Sequence, residues 1–72
     1  MDADTIVKWT IGDPETANGE FGEWGECLWS NWTEANGDDP EFVAEVEAEL
    51  IAGRVYHGGG GAAPEITVEV AQ

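Results

Sequence analysis

The stretch DPEFVAEVEAELIAG, residues 39–53, decides the fold because it carries the clearest helix signal in the chain. Asp39 is a suitable N-cap, and Pro40 fits the first helical position, where its missing N–H leaves no bond unmade. A stripe of apolar side chains then follows one side of the segment at helical spacing. The stripe consists of Phe42, Val43, Val46 and Leu50. With Gly53 placed to cap the C-terminus, the sequence predicts a helix over about 40–52 with one buried face.

Segments near the two ends of the chain alternate between apolar and polar residues, as half-buried strands do. In residues 5–11 the larger apolar set is Val7, Trp9 and Ile11. In residues 65–71 it is Ile66, Val68 and Val70. Residues 54–57 add a third short strand to this interpretation, and the glycine run 58–61 is interpreted as a flexible connector.

Residues 20–34 fit two structures. At 100° per residue the large apolar side chains share one helix face and the glutamates fall opposite, which favours an amphipathic helix. The apolar set is Phe21, Trp24, Leu28 and Trp32, and the acidic set is Glu20, Glu23, Glu26 and Glu34. Gly22 and Gly25 oppose a helix, since each costs ~1 kcal/mol relative to alanine. The alternative is a strand at about 20–25 that pairs back on the first strand through the turn-rich loop 13–19.

Together these segments predict an α+β fold in a single domain spanning residues 1–72. A small antiparallel sheet, with strands near 5–11, 54–57 and 65–71, is covered on one face by one or two helices near 20–34 and 40–52. At this length folding removes only about 60% of the unfolded chain's surface from water, so the core is thin. The single cysteine, Cys27, cannot form an internal disulfide. The domain must therefore fold by packing alone or together with a partner.

The residues that could carry chemistry do not form a recognisable catalytic or metal site. Carboxylates are abundant, and no pair stands out as the two carboxyl groups at a fixed distance, one with a raised pKa, that acid–base catalysis needs. Cys27 and His57 are the only soft metal ligands, whereas a zinc site takes three or four. The run 36–39, Asn-Gly-Asp-Asp, fits a turn and a helix cap rather than a calcium loop. We expect no catalytic residue, no metal, no cofactor and no enzyme activity.

Net charge is the strongest compositional signal. The 72 residues include 16 Asp or Glu and only two basic residues, Lys8 and Arg54, giving a formal charge of −14. A magnitude of about 2 to 8 suffices for a small soluble domain. Such a chain is not expected to bind nucleic acid directly or to approach anionic membranes. Residues 1–4 lack the positive region of a secretory signal, so we expect a cytoplasmic protein.

The acidic residues are arranged in rows, which is the pattern that points to a function. Glu41, Glu45 and Glu49 recur every four residues, about 6 Å apart along a helix, with Glu47 on another side. Like charges at this spacing destabilise an isolated helix by ~0.2–0.5 kcal/mol per pair. A second row, Glu20-Glu23-Glu26, lies in the earlier segment. Asp38 and Asp39 extend the first row, and Trp29, on the flank of the predicted helix, is a candidate interface anchor.

The charge density approaches that of DNA. Fourteen charges correspond to ~24 Å of duplex, and a compact domain of this length has a diameter near ~29 Å. In size, acidity and these two glutamate rows the chain resembles the DNA-mimic inhibitors of phages and other mobile elements, among them many small anti-CRISPR proteins. The resemblance implies a non-enzymatic inhibitor whose partner is a basic nucleic-acid-binding protein, most simply a CRISPR effector complex.

Two other interpretations of the acidity stay open at the level of sequence. One is a halophilic domain, whose acidic surface keeps it soluble in concentrated salt. The other is an accessory module that binds a basic protein unrelated to DNA. The three differ in whether DNA competes with the partner and in whether the domain needs molar salt to fold.

Overall fold

Over the residues that the structure describes, the protein is a four-stranded antiparallel sheet with two helices, which confirms the predicted α+β class. The computed structural model describes residues 1–12, 23–60 and 63–71. In chain order the elements are β1 (Ile6–Ile11), β2 (Glu23–Leu28), α1 (Trp29–Ala35), α2 (Pro40–Ile51), β3 (Tyr56–Gly60) and β4 (Ala63–Val70). The strand order is β2-β1-β4-β3, so the two predicted terminal strands, β1 and β4, form the centre of the sheet.

Both helices lie on one face of the sheet. Helix α1 contacts β1 and β2, and α2 contacts β3 and β4. Val7, Val46 and Val68, from β1, α2 and β4, are fully buried between the two layers. The other sheet face has no helix against it among the described residues, and we call it the open face.

Helix α2 forms as the sequence predicts, ending at Ile51. Its N-cap is Asp39, whose Oδ1 accepts a hydrogen bond from the Phe42 N–H at 3.2 Å. At the other end the Gly53 N–H donates to the Leu50 carbonyl and the Arg54 N–H donates to the Glu49 carbonyl. These two bonds are the Schellman pattern, which satisfies carbonyls that the helix leaves free.

The helix predicted over residues 20–34 is wrong for residues 23–28, which form β2. The alternative strand is right in kind, although its described part begins at Glu23, and residues 20–22 lie outside the described chain. Strand β2 pairs with β1 from Ile6 opposite Leu28 to Ile11 opposite Glu23. A tertiary contact decides the outcome: a Cβ at Gly25 would lie 2.9 Å from Cζ2 of Trp9, so only glycine lets the indole lie across β2.

Helix α1 begins directly where β2 ends, with no loop between them. No side chain caps its N-terminus. Instead the N–H groups of Trp29 and Ser30 donate to the carbonyls of Thr5 and Ala3, at 2.7 and 3.1 Å. The segment before β1 therefore supplies the cap. The helix stops at Ala35, and Asn36 Nδ2 donates to the Trp32 carbonyl at 2.8 Å.

The glycine run is partly a strand rather than the predicted connector. Strand β3 spans Tyr56–Gly60 and pairs with β4, with an irregularity between Gly58 and Gly60. The Tyr56 ring lies over Gly58, where an added Cβ would be 2.8 Å from its Cε2. The run is therefore glycine-rich partly because the tyrosine occupies the space above the backbone. The predicted short strand at 54–57 corresponds to β3, shifted toward the C-terminus.

A chain of aromatic contacts joins the helices to the sheet. Trp29 stacks on Trp32 with ring centroids 5.2 Å apart, Trp32 meets Phe42 at 5.5 Å, and Phe42 meets Tyr56 edge-on at 5.6 Å. These four rings link α1, α2 and β3. Aromatic pairs at such distances add about 0.5–1.5 kcal/mol each beyond the area they bury.

Replacing Val46 with alanine tests whether α2 is held by its contact with the sheet. Val46 is fully buried, so Val46→Ala should lower the free energy of unfolding by about 2 kcal/mol through lost burial and the cavity left behind. Val55→Ala is the matched control, because Val55 is 37% exposed, and it should have a much smaller effect. Urea unfolding followed by circular dichroism measures both, and equal losses in the two variants would contradict this packing.

Candidate functional site

The row Glu41, Glu45 and Glu49 lies along a solvent-accessible flank of α2, where Glu45 and Glu49 face β3 across a groove. Glu41 and Glu45 are exposed, and Glu49 is partly exposed. Val46 and Leu50, on the inner side, are buried and fix the rotation of the helix. The carboxylates are therefore presented by a packed element at intervals of about 6 Å along its axis.

Glu49 is paired within the molecule. Arg54 Nε donates to Glu49 Oε2 at 2.6 Å, and Arg54 Nη2 donates to Oε1 at 3.4 Å, so the guanidinium grips both oxygens. The hydrogen bond from Arg54 lowers the pKa of Glu49; desolvation opposes this shift, and the positive charge of Arg54 adds to it. The same contact raises the pKa of Arg54. Both groups are too exposed for the pair to add much stability.

Two further acidic residues of the predicted set are engaged internally. Glu47 Oε2 accepts a hydrogen bond from the Met1 ammonium at 2.6 Å, and its side chain is 34% exposed. Asp39 accepts the capping bond from Phe42. By contrast, Asp38, Glu41 and Glu45 are exposed and make no ion pair or side-chain hydrogen bond with any other described residue.

The second predicted row does not form one helix face. Glu20 lies outside the described residues, and Glu23 opens β2. Glu26 is exposed and lies opposite Lys8 in the β1–β2 register. Residues 23–28 are a strand, in which positions three apart fall on opposite sides of the sheet rather than on one helix face.

The open face of the sheet carries the other basic residue. Lys8 lies between Glu26 on β2 and Glu69 on β4 in the pairing register. Beside it the hydroxyls of Thr10 and Thr67 hydrogen-bond across β1 and β4. Lys8 is thus on the opposite side of the molecule from the α2 row.

The exposure of two tryptophans, Trp24 and Trp29, differs from what the sequence predicts. Trp29, the candidate interface anchor, is only 5% exposed and packs on Trp32, so most of its surface is occupied within the molecule. Trp24, predicted in the core, is 65% exposed on the open face, near Leu28 at 38%. The signal for this lies in strand alternation, which puts Trp24, Glu26 and Leu28 together. Trp9 and Trp32 pack in or against the core as predicted.

Two concave regions border the helices. The first, which we call the α2–β3 groove, has a volume of about 460 Å³ and is lined by Glu45, Ala48, Glu49, Val55, Tyr56 and His57. The second is an apolar groove of about 400 Å³ between α1 and the sheet. Its walls are mainly core side chains such as Trp9, Trp32 and Phe42. Each groove places a carboxylate beside apolar surface, Glu45 in the first and Glu26 in the second.

Within the described ranges, no three of the His, Cys, Asp and Glu side chains are placed to hold a metal ion. Cys27 is a free thiol, partly buried against the core. In the same ranges no helix is both long and apolar enough to cross a membrane. Comparison with known protein families, curated proteins and solved structures finds no match.

The Arg54–Glu49 pair predicts a measurable titration. Because Arg54 lowers the pKa of Glu49 in the folded state, the contact stabilises the fold above the ordinary glutamate pKa. That contribution is lost as the pH falls through the lowered value. In Arg54→Gln the Glu49 carboxyl should titrate at higher pH, as measured by carboxyl ¹³C NMR. Lys8→Gln removes the same charge from the open face and should leave the Glu49 midpoint in place, and an equal shift in both variants would contradict the local cause.

Proposed function

We propose that this protein is a non-enzymatic DNA mimic that occupies the DNA-binding surface of a basic bacterial defence complex. A CRISPR effector complex is the leading target, which would make the protein an anti-CRISPR inhibitor. On this proposal it acts in the cytoplasm of the bacterial host and forms a stoichiometric complex in which carboxylates replace phosphates.

The observation that carries the proposal is the state of Glu41 and Glu45. Both are exposed, they lie one turn apart on a packed helix, and neither basic side chain of the protein is bonded to them. Arg54 is bonded to Glu49, and Lys8 lies on the open face of the sheet. The protein therefore leaves these two carboxylates available to basic groups on another molecule.

The overall dimensions agree with a DNA-like charge distribution. The molecule measures 37 × 24 × 22 Å and carries a formal charge of −14. A duplex reaches the same charge in about 24 Å of its axis. The protein is thus somewhat less densely charged than DNA, while its carboxylate spacing of about 6 Å on α2 resembles the separation of successive phosphates along one strand.

The electrostatics of α2 also favour a partner for the row. Asp39 and Glu41 lie at the N-terminal end, where the helix dipole favours negative charge. Glu49 lies near the C-terminal end, where the dipole is unfavourable, and there Arg54 supplies the compensating charge. Glu45, in the middle, is one turn from a glutamate on either side and has repulsion without compensation. A basic surface would relieve that repulsion on binding.

The first test is affinity capture. The tagged protein is incubated with a nuclease-treated lysate of bacteria that express an active CRISPR system, and bound proteins are eluted with duplex DNA and identified by mass spectrometry. We expect DNA to release a nucleic-acid-binding complex. Retention that DNA does not reverse would instead favour an accessory module, and folding only at molar salt would favour a halophilic domain; either result contradicts the proposal.

A pair of double variants tests which carboxylates act as phosphate substitutes. Glu41→Gln with Glu45→Gln should weaken binding to the captured complex by at least about tenfold, equivalent to ~1.4 kcal/mol. The variant should also reduce the salt dependence of binding, because fewer charged contacts remain. Calorimetric titration at several salt concentrations measures both quantities.

The matched control is Glu34→Gln with Glu65→Gln, which changes the net charge by the same amount at two other exposed positions. Affinity should fall much less in this control. Equal weakening in the two double variants would show that net charge alone matters and would overturn the assignment of Glu41 and Glu45.

A further inference from the structure

The α2–β3 groove combines charge with apolar surface. One wall of the groove is formed by α2 and carries Glu45, Ala48 and Glu49. Val55 and Tyr56 lie on the facing wall. Val55 is 37% exposed, so part of its apolar surface faces solvent. The groove is therefore shaped for a side chain with a long aliphatic stem and a positive end.

The protein already places one guanidinium on this wall. Arg54 approaches Glu49 from the end of the helix and bonds both carboxylate oxygens. Glu45, one turn earlier on the same wall, has no ion-pair partner among the described residues. The carboxylate geometry of this wall thus accepts an arginine at one position and leaves the neighbouring position open.

We infer that the α2–β3 groove binds an arginine side chain of the basic partner, an assignment that rests on the proposed function and names the contact behind it. The guanidinium bonds Glu45, and the aliphatic stem lies over Ala48 and Val55. The ring of Tyr56 provides an aromatic surface beside the stem. The occupant is a protein side chain, since the negative charge of the groove repels phosphate groups.

Arginine fits this groove better than lysine for three reasons. Its planar fork can bond both oxygens of one carboxylate, it is less strongly hydrated than an ammonium, and it packs on aromatic rings. Arg54 also fixes the number of arginines at one, because it already neutralises Glu49. Removing Arg54 should therefore make a second carboxylate available and strengthen the binding of cationic side chains.

The test is an NMR titration of the full ¹⁵N-labelled protein with the peptide Ac-Gly-Arg-Gly-NH₂, with the corresponding lysine peptide as a comparison. We expect amide shifts concentrated at Ala48 and residues 55–57, and tighter binding of the arginine peptide. Glu45→Gln should weaken arginine binding by about threefold or more, the scale of one exposed charged contact. Glu34→Gln, the matched control on α1, should leave it unchanged, and Arg54→Gln should strengthen it.

Three results would overturn the inference. Shifts spread evenly over all exposed carboxylates would mean general charge attraction. Equal effects of Glu45→Gln and Glu34→Gln would remove Glu45 from the contact, and equal affinity for the two peptides would remove the preference for arginine. The titration needs no DNA-binding partner, so its failure is distinguishable from that of the capture experiment. If the peptide binds in the groove but the capture experiment finds no partner that DNA displaces, the groove remains an arginine site and DNA mimicry is rejected.

Discussion

The structure depends on the run of aromatic contacts from Trp29 through Trp32 and Phe42 to Tyr56. A 72-residue chain without an internal disulfide has little core with which to fix two helices on a sheet. The four rings connect α1, α2 and β3, three consecutive elements of the chain. The fully buried valines close the space beneath them. This packing fixes the position of α2 on the sheet. The carboxylates on its solvent-exposed side are therefore held at fixed positions relative to the rest of the molecule.

Local signals in the sequence were sufficient for the parts of the fold that local interactions decide. The cap at Asp39, the proline at the first helical position and the apolar stripe all act within α2, and its predicted bounds agree with the structure within a residue. Strand alternation located β1 within one residue and β4 within two. Residues 23–28 were misassigned because their apolar spacing fits both periods. The contact between Gly25 and Trp9 that favours the strand joins positions far apart in sequence. The pairing with β4 that makes part of the glycine run a strand also joins segments that no local signal connects.

The same distinction applies to the candidate site. Four-residue spacing placed Glu41, Glu45 and Glu49 together, because that relation is internal to one helix. It gave no information about which carboxylates the rest of the molecule engages. The approach of Arg54 to Glu49 depends on the turn after the helix, and that of Met1 to Glu47 depends on how the N-terminal segment lies against α2. The exposure of Trp24 follows from the misassigned strand, since a period of two and a period of 3.6 orient the same residue differently.

The fold assigns the stability of α2 and the display of its like charges to different sides of the helix. Stability comes from the inner side of α2, where Val46 and Leu50 are buried, so the outer side is free to carry charges that oppose helix formation. The residual repulsion is concentrated at Glu45, because the helix dipole favours Glu41 and Arg54 compensates Glu49. A cation that reaches Glu45 therefore gains the attraction of one carboxylate and also removes repulsion from its two neighbours. Because the α2–β3 groove is the concave region that Glu45 lines, the most favourable position for an external positive charge is also the one where apolar surface can hold its stem.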